Sequence, residues 1–237
     1  ITEPSAGEDR ETCRQISVTV GYENLVRTAG NEPLTLVRQN GRDDNRIVLK
    51  PSFRSPGRIA YEGPEGAVFR AGNEYRTLDI RNMRYQTENI ADIAFRERAY
   101  RVTLKPDESR AYKPYFSKTD LDGSFMINVE KSQHKHLEAD YVYVRFLLNQ
   151  PFPFDEPVYV FGGLTGWNLG PENHMEYDQE KQQYTCTLLL KQGYYDYDYA
   201  LRKAAGGAAD EETIEGSYRE TGNSYEVLVY LHDRYDR

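Results

Sequence analysis

The stretch QYTCTLLLKQGYYDYDYAL, residues 183–201, decides the fold because its side chains alternate in character with a period of two. From Tyr184 onward, apolar side chains alternate with threonines, and from Tyr195 onward tyrosines alternate with Asp196 and Asp198. Successive side chains of a strand point to opposite faces of a sheet. The pattern therefore predicts two strands whose tyrosines pack inward and whose acids face water.

Similar short segments recur along the chain. LTLVRQNGRDDNRIVL, residues 34–49, predicts a hairpin, because turn residues around Asn40-Gly41 and Asp43-Asp44 separate two apolar runs. Regular short strands with polar turns are typical of antiparallel sandwiches rather than of βαβ units. The predicted fold class is all-β, with two immunoglobulin-like antiparallel β-sandwich domains joined by a linker with a hairpin.

Changes in composition suggest where these domains end. Residues 1–105 are predicted to form the first sandwich and residues 139–237 the second. The polar stretch 106–138 is predicted to be a linker with its own β-hairpin, in which YFSKT and SFMINVE flank a turn at Asp120 to Ser124.

Charge and hydropathy exclude several classes of protein. The 237 residues carry a formal net charge of −8, and basic side chains are interspersed with acids, which argues against nucleic acid as a partner. No stretch has the length and apolarity of a membrane-spanning helix. The first residues lack a signal pattern, so we expect either that a signal segment was removed or that it lies outside this chain.

The two cysteines, Cys13 and Cys186, are too few to build a disulfide scaffold. They fall in different predicted domains, whereas bonded cysteines bring their Cα atoms within about 7 Å. We therefore predict two buried thiols, with a Cys13–Cys186 bridge as the alternative.

Two groups of polar residues have a partial resemblance to metal sites. Asp120 and Asp122 in DLDGS resemble the start of a calcium loop, but the strand-like residues that follow favour a hairpin turn. His134 and His136 lie in a polar linker without evident supporting ligands. We expect no metal at either place and no cofactor.

No catalytic motif stands out. The chain has no nucleophile elbow, no phosphate-binding glycine loop and no dinucleotide fingerprint. Carboxylate pairs are abundant in any acidic chain, so they do not define a glycosidase. We predict a protein that is not an enzyme.

The order VYVFGGLTGW, then MEYDQEKQQYTCTLLLKQGYYDYDYAL, resembles the glycogen- and starch-binding modules with early immunoglobulin-like folds. In that family two tryptophans flank the sugar, and a lysine and an asparagine bind its hydroxyl groups. The resemblance places Trp167 at the first tryptophan, Asp198 where the lysine is expected and Asn223 near the asparagine. Residues 202–205 hold no second aromatic, so the resemblance implies an inherited fold with a mostly lost sugar site.

A second resemblance covers nearly the whole chain. NEYRTLDIRNMRYQTENIADIAF, LEADYVYVRFLL, YVFGGLTGWN, LLLKQGYYDYDYAL and IEGSYRETGNSYEVLVY together are similar to the Plug protein family of the type IX secretion system of Bacteroidetes, formerly a domain of unknown function. The resemblance implies an exported, non-enzymatic, all-β periplasmic protein, peripheral to the outer membrane and preceded by a further N-terminal sandwich. Its partner would be the outer-membrane translocon protein, whose periplasmic end it seals.

Two roles for Trp167 follow from these resemblances. It is either an anchor at a protein interface or a wedge that closes the core of its own sandwich. The alternative function is a carbohydrate-binding module that recognises an α-glucan-like polysaccharide through Trp167.

Overall fold

A computed structural model describes residues 10–21, 33–63, 66–130, 138–203 and 209–231. The chain divides into two compact units. Unit 1 comprises residues 1–72 together with 217–237, and unit 2 comprises residues 73–216. The described residues are almost entirely strands and turns, so the predicted all-β, mainly antiparallel class is confirmed.

The strands are short and follow one another closely along the chain. Their bounds are β1 Cys13–Ile16, β2 Val18–Gly21, β3 Leu34–Gln39, β4 Arg46–Val48, β5 Phe53–Ser55, β6 Arg58–Tyr61, β7 Ala67–Arg70, β8 Arg76–Asp79, β9 Ile90–Arg96, β10 Ala99–Leu104, β11 Asp107–Glu108, β12 Phe125–Ile127, β13 Tyr141–Asn149, β14 Val158–Phe161, β15 Glu176–Asp178, β16 Gln183–Lys191, β17 Gly193–Arg202, β18 Ala209–Asp210 and β19 Tyr225–Tyr230. A 3₁₀ turn spans Gly163–Thr165, and the helix α1 spans Glu212–Glu215.

In its described residues, unit 1 contains three small antiparallel sheets. The first pairs β1 with β7, the second has the strand order β19-β3-β4, and the third has the strand order β2-β6-β5. The predicted hairpin over residues 34–49 is confirmed, because β3 and β4 pair across a turn with Asn40 and Gly41 at positive φ. The core of this unit is apolar and centres on Val37, Ile59 and Phe69.

Among the residues of unit 2 that the structure describes, the strands form two larger sheets. One follows the order β15-β16-β13-β10-β9, with β11 also paired to β13. The other is centred on β17, which pairs with β8, β12, β14 and β18. Side chains from both sheets, among them Val144, Phe146, Tyr197 and Leu188, form one core cluster. The pairings of β10 and β11 with β13 are parallel, which the antiparallel prediction did not include.

The alternating stretch behaves as predicted on one face only. Tyr195, Tyr197 and Tyr199 on β17 are at most 2% exposed and pack inward. Asp196 and Asp198 do not face water, since their exposures are 0% and 2%. The prediction for the acids is wrong because loops and α1 cover the second face of β17.

The predicted domain boundaries, 1–105, 106–138 and 139–237, do not coincide with the two units. β8, β9 and β10, assigned by sequence to the first domain, pair within unit 2. β19, assigned to the second domain, pairs with β3 of unit 1. The division is therefore corrected: these partners are remote in sequence, and no local pattern identifies them.

The predicted hairpin in the linker is also corrected. A turn does form, with Asp122 and Gly123 at positive φ and the amide of Ser124 bonded to the carbonyl of Leu121. Residues 115–119 form no strand, however, and β12 pairs with β17 instead. The segment is part of unit 2 rather than a separate connector.

Both cysteines are buried thiols that do not form a disulfide with each other, as predicted. Burial raises the pKa of the Cys186 thiol to about 11, so this thiol stays protonated at neutral pH. Within the ranges that the structure describes, no helix is long and apolar enough to cross a bilayer.

Candidate functional site

Trp167 does not form an open platform. It lies just after the 3₁₀ turn, half-buried, with Phe161 and Tyr75 packed edge-to-face at centroid distances of 5.4 and 6.1 Å. Its backbone has φ of 60°, and its amide donates to the carbonyl of Gly162. The indole therefore packs at the end of its own sandwich, among side chains that hold it in place.

The turn around Asp122 completes this packing. Gly123 lies so close to the indole that a Cβ on this residue would stand 2.3 Å from Cη2 of Trp167. The same residue has φ of +78°, a conformation that side chains with a Cβ rarely adopt. Both constraints require glycine at this position, and glycine allows the turn to pack directly against Trp167.

Asp198 belongs to a buried ion cluster, defined here as Arg76, Asp107, Arg110, Asp198 and Glu215. Glu215 lies at its centre and accepts from Arg76 Nη2 at 3.0 Å and from Arg110 Nε at 2.6 Å. Asp198 accepts from Arg110 Nη2 at 3.0 Å, and Asp107 accepts from Arg76 Nη1 at 2.7 Å. Asp198 is thus committed to an internal ion pair and is not available to a surface ligand.

Hydrogen bonds connect this cluster to the core tyrosines. The hydroxyls of Tyr197 and Tyr199 both donate to Oδ2 of Asp107 at 2.8 Å. The guanidinium of Arg76 also lies 5.3 Å from the ring centroid of Tyr199. The polar ends of the inward-facing tyrosines are therefore satisfied inside the sandwich.

The pKa values of Asp198 and Glu215 are shifted in opposite directions. Burial raises the pKa of Asp198, and the nearby Glu215 adds to this effect, so Arg110 offsets only part of it. Burial also opposes ionisation of Glu215, but Arg76 and Arg110 outweigh it and lower its pKa. Glu215 is therefore an anion that both arginines share.

Asn223 lies in unit 1, apart from the unit that contains Trp167 and Asp198. Its Oδ1 accepts from Asn40 Nδ2 at 2.7 Å, and its Nδ2 donates to the carbonyl of Ala71 at 2.8 Å. The sequence-based grouping of Trp167, Asp198 and Asn223 in one domain is therefore wrong. The chain returns to unit 1 at residue 217, a crossing that the local pattern did not indicate.

The DLDGS turn covers Asp196. Asp196 accepts from the amides of Leu121 and Gly123, and Asp120 accepts from the amides of Tyr75 and Asp122. These carboxylates are thus occupied by backbone donors. The other oxygen of Asp196, Oδ1, is buried without a hydrogen-bond partner among the described residues. Burial raises the pKa of Asp196 to about 7.

No three metal-ligating side chains converge within the part of the chain that the structure describes. His134, His136 and His232 lie outside the described residues. His174 is exposed, and its ring packs edge-to-face on Tyr159 at 5.2 Å.

A loop over residues 109–119, here called the anchored loop, is held to unit 2 by polar contacts. Arg110 joins the ion cluster, Tyr115 donates to Glu74, and Lys118 Nζ donates to Thr77 Oγ1 at 2.6 Å. Between these contacts, Tyr112 is 100% exposed and Phe116 is 79% exposed. The loop is fixed by buried charge while it presents two aromatic side chains to solvent.

A second surface feature is a depression of about 640 Å³ on the outer face of the six-stranded sheet of unit 2. Side chains of β9, β10, β13 and β16 line it, and its floor is polar. Sequence reasoning missed both the anchored loop and this depression. The outward arginines of the strands were a signal for the depression, but only the strand order shows that they are neighbours.

Comparison with known proteins finds similarity to a solved structure. No protein-family profile and no curated protein matches the chain. The crystal structure of a hypothetical protein from Parabacteroides merdae ATCC 43184 is similar, with 31% sequence identity and a TM-score of 0.86. The match covers 96% of this chain and 58% of that one, so this chain spans somewhat more than half the length of its relative. The similarity concerns fold and sequence and brings no activity with it.

Proposed function

We propose that this protein is a non-enzymatic gating subunit, a plug, of the type IX secretion translocon, acting at the periplasmic end of that channel. The proposal rests on the five sequence blocks that resemble the Plug family. The structural observation that carries it is the anchored loop. A plug needs a rigid body and a contact surface that can be removed, and exposed aromatic anchors are typical of protein interfaces.

The internal pairing of charge in unit 2 also supports a structural role. Glu215 accepts from both Arg76 and Arg110. Glu215 also accepts from the amide of Tyr199, and Arg110 donates to the carbonyl of Glu74. Such a cluster fixes the loop that carries Tyr112 and Phe116. A fixed loop loses less conformational entropy on binding than a free one, which favours association.

The test is co-purification of the full-length tagged protein with the translocon from its own cells. We expect Tyr112→Ala combined with Phe116→Ala to reduce recovery of the translocon at least tenfold. The matched control is Tyr85→Ala combined with Phe152→Ala, which removes two aromatics of unit 2 that are 69% and 77% exposed. Equal recovery of the translocon with both variants would show that the anchored loop is not the contact surface.

Deletion of the gene tests the gating role itself. We expect a more permeable outer membrane, measured by entry of a large antibiotic or dye, and restoration by the wild-type gene. If permeability and translocon composition both stay unchanged, the plug function is excluded.

The carbohydrate-binding alternative is tested by affinity electrophoresis on starch and glycogen. The packing of Trp167 between Tyr75 and Phe161, with Asp198 in an ion pair, leads us to expect no retardation of the wild-type protein. Retardation that Trp167→Phe abolishes without loss of folding would reverse this preference.

A further inference from the structure

The outer face of the six-stranded sheet carries a diagonal row of arginines. In the register of the sheet, Arg101 of β10 lies opposite Tyr143 of β13, and Thr103 lies opposite Arg145. On the other side, Ala99 lies opposite Arg96 of β9. Arg96, Arg101 and Arg145 therefore lie on three adjacent strands, each displaced by two residues from the last.

Two of these arginines are held in place by neighbouring side chains. The guanidinium of Arg101 stacks 4.9 Å from the ring centroid of Tyr143, and Arg145 Nε donates to Thr185 Oγ1 at 3.0 Å. Arg101 also pairs with the exposed Glu97 at 2.6 Å. The terminal nitrogens of Arg145 have no acceptor among the described residues. Its guanidinium group is therefore oriented by Thr185 and available to bind a carboxylate through two nitrogens.

Aromatic and apolar side chains are exposed on the central strands of this face, and its acids lie on and beside the edge strands. Tyr143 is 36% exposed, Tyr141 56% and Leu189 51%, and Lys191 lies 5.4 Å from the ring centroid of Tyr141. These residues lie on the central strands β13 and β16. Three acids line the depression: Asp92 on the edge strand β9, Glu176 on the edge strand β15, and Glu172 in the loop before β15.

The spacing along the diagonal matches an extended peptide. One strand across and two residues along separate neighbouring arginines by about 8 Å. Alternate side chains of an extended peptide are about 7 Å apart. The depression, at about 640 Å³, is also within the size range of ligand-binding clefts.

We propose that this face binds an extended, acidic segment of a partner protein, with carboxylates at alternate positions opposite Arg96, Arg101 and Arg145. Tyr143 and Leu189 contribute apolar contact beside the arginines. The acidic margins favour one placement of the segment, since they repel carboxylates outside the diagonal. This binding does not depend on the proposed plug function or on the anchored loop.

Fluorescence anisotropy of the whole chain with a labelled Glu-Thr repeat of eight residues tests the proposal. We expect saturable binding that weakens as salt rises, and at least tenfold weaker binding by Arg101→Glu combined with Arg145→Glu. The control with an equal change of charge is Arg58→Glu combined with Arg84→Glu, which alters two exposed arginines that are not part of the diagonal and should retain binding. Circular dichroism and thermal unfolding establish that each variant is folded.

Three further comparisons define the chemistry. Arg145→Lys keeps the charge but loses the planar guanidinium group that can bind a carboxylate through two nitrogens. We expect its affinity to lie between those of the wild type and the double variant. A peptide with the same composition but all glutamates at one end should bind at least fivefold more weakly. Absence of saturable binding, equal affinity of both peptides, equal loss in the control variant, or tighter binding of dextran sulfate than of the peptide would overturn the proposal.

Discussion

At the scale of single residues, the unusual feature of this protein is a strand whose acids are buried on the face opposite its tyrosines. Asp196 is held by two amides of the DLDGS turn, and its Oδ1 has no partner within the described residues. Burial disfavours the charged form of this carboxyl group, and the nearby Lys118 offsets only part of that effect. This explains why burial raises its pKa from 3.8 to about 7.

Stability should therefore depend on pH through Asp196. Because its folded-state pKa lies above the unfolded value, the stabilisation is complete below about pH 4 and is lost as the pH rises through about 7. Between pH 5 and 8 the free energy of unfolding should fall by up to about 3 kcal/mol from this group. We expect Asp196→Asn to remove most of that fall, measured by urea unfolding at both pH values.

Asp92→Asn is the control, because Asp92 is an exposed carboxyl group of the same unit. It should leave the difference between pH 5 and 8 as in the wild type. A fall in stability between pH 5 and 8 that is as large in Asp196→Asn as in the wild type would contradict the account of this residue.

At the scale of elements, the ion cluster joins segments that are remote in sequence. Arg76 begins β8, Asp107 begins β11, and Glu215 ends α1. Arg110 extends the cluster into the anchored loop. A four-residue helix is too short to be stable alone, so its position depends on Glu215 and on the buried Ile214.

Removal of the central anion should be costly. Glu215→Ala leaves Arg76 and Arg110 without their main counterion in a buried place, and we expect a loss of about 3–5 kcal/mol in the free energy of unfolding. The measurement is urea unfolding at pH 7. Glu108→Ala, which removes an exposed pair with Lys113, should leave the unfolding midpoint unchanged within error.

Hydrogen exchange adds a local measurement. In a folded Glu215→Gln variant, amides of the anchored loop should exchange faster than in the wild type, because Arg110 has lost a charged partner. Unchanged hydrogen exchange in residues 109–119 would show that the ion cluster does not hold the anchored loop in place.

At the scale of the whole molecule, unit 2 is a continuous segment inserted into unit 1. Residues 73–216 contain both sheets of unit 2 and its core cluster, whereas unit 1 needs β19 from the end of the chain. A segment with its own core and all its strand partners has what independent folding requires.

We therefore expect the fragment 73–216 to fold by itself. It should give dispersed amide resonances and a cooperative thermal transition. The complementary chain lacking residues 217–237 should lose the β3–β19 pairing and with it part of the protection of β3 against hydrogen exchange. An aggregated or unfolded fragment 73–216 would contradict the division into units.

The local sequence pattern was sufficient to predict many of the strands and turns of this fold. The alternation from Tyr184 onward predicted β16 and β17 with their inward tyrosines, and the turn at Asn40 and Gly41 predicted the β3–β4 hairpin. These features depend on neighbours in sequence, which a single chain displays directly. The Asp-Gly turn at residues 122–123 was readable for the same reason.

The sequence by itself determined that this chain is all-β, where many of its strands lie, and that its cysteines are buried thiols. Only the tertiary structure decided which strands pair across long separations, that Asp196 and Asp198 are buried, and that Trp167 packs at the end of its sandwich. The physical reason is that alternation records the two faces of a strand but not what covers each face. That covering is supplied by turns, ion pairs and strands from distant parts of the chain.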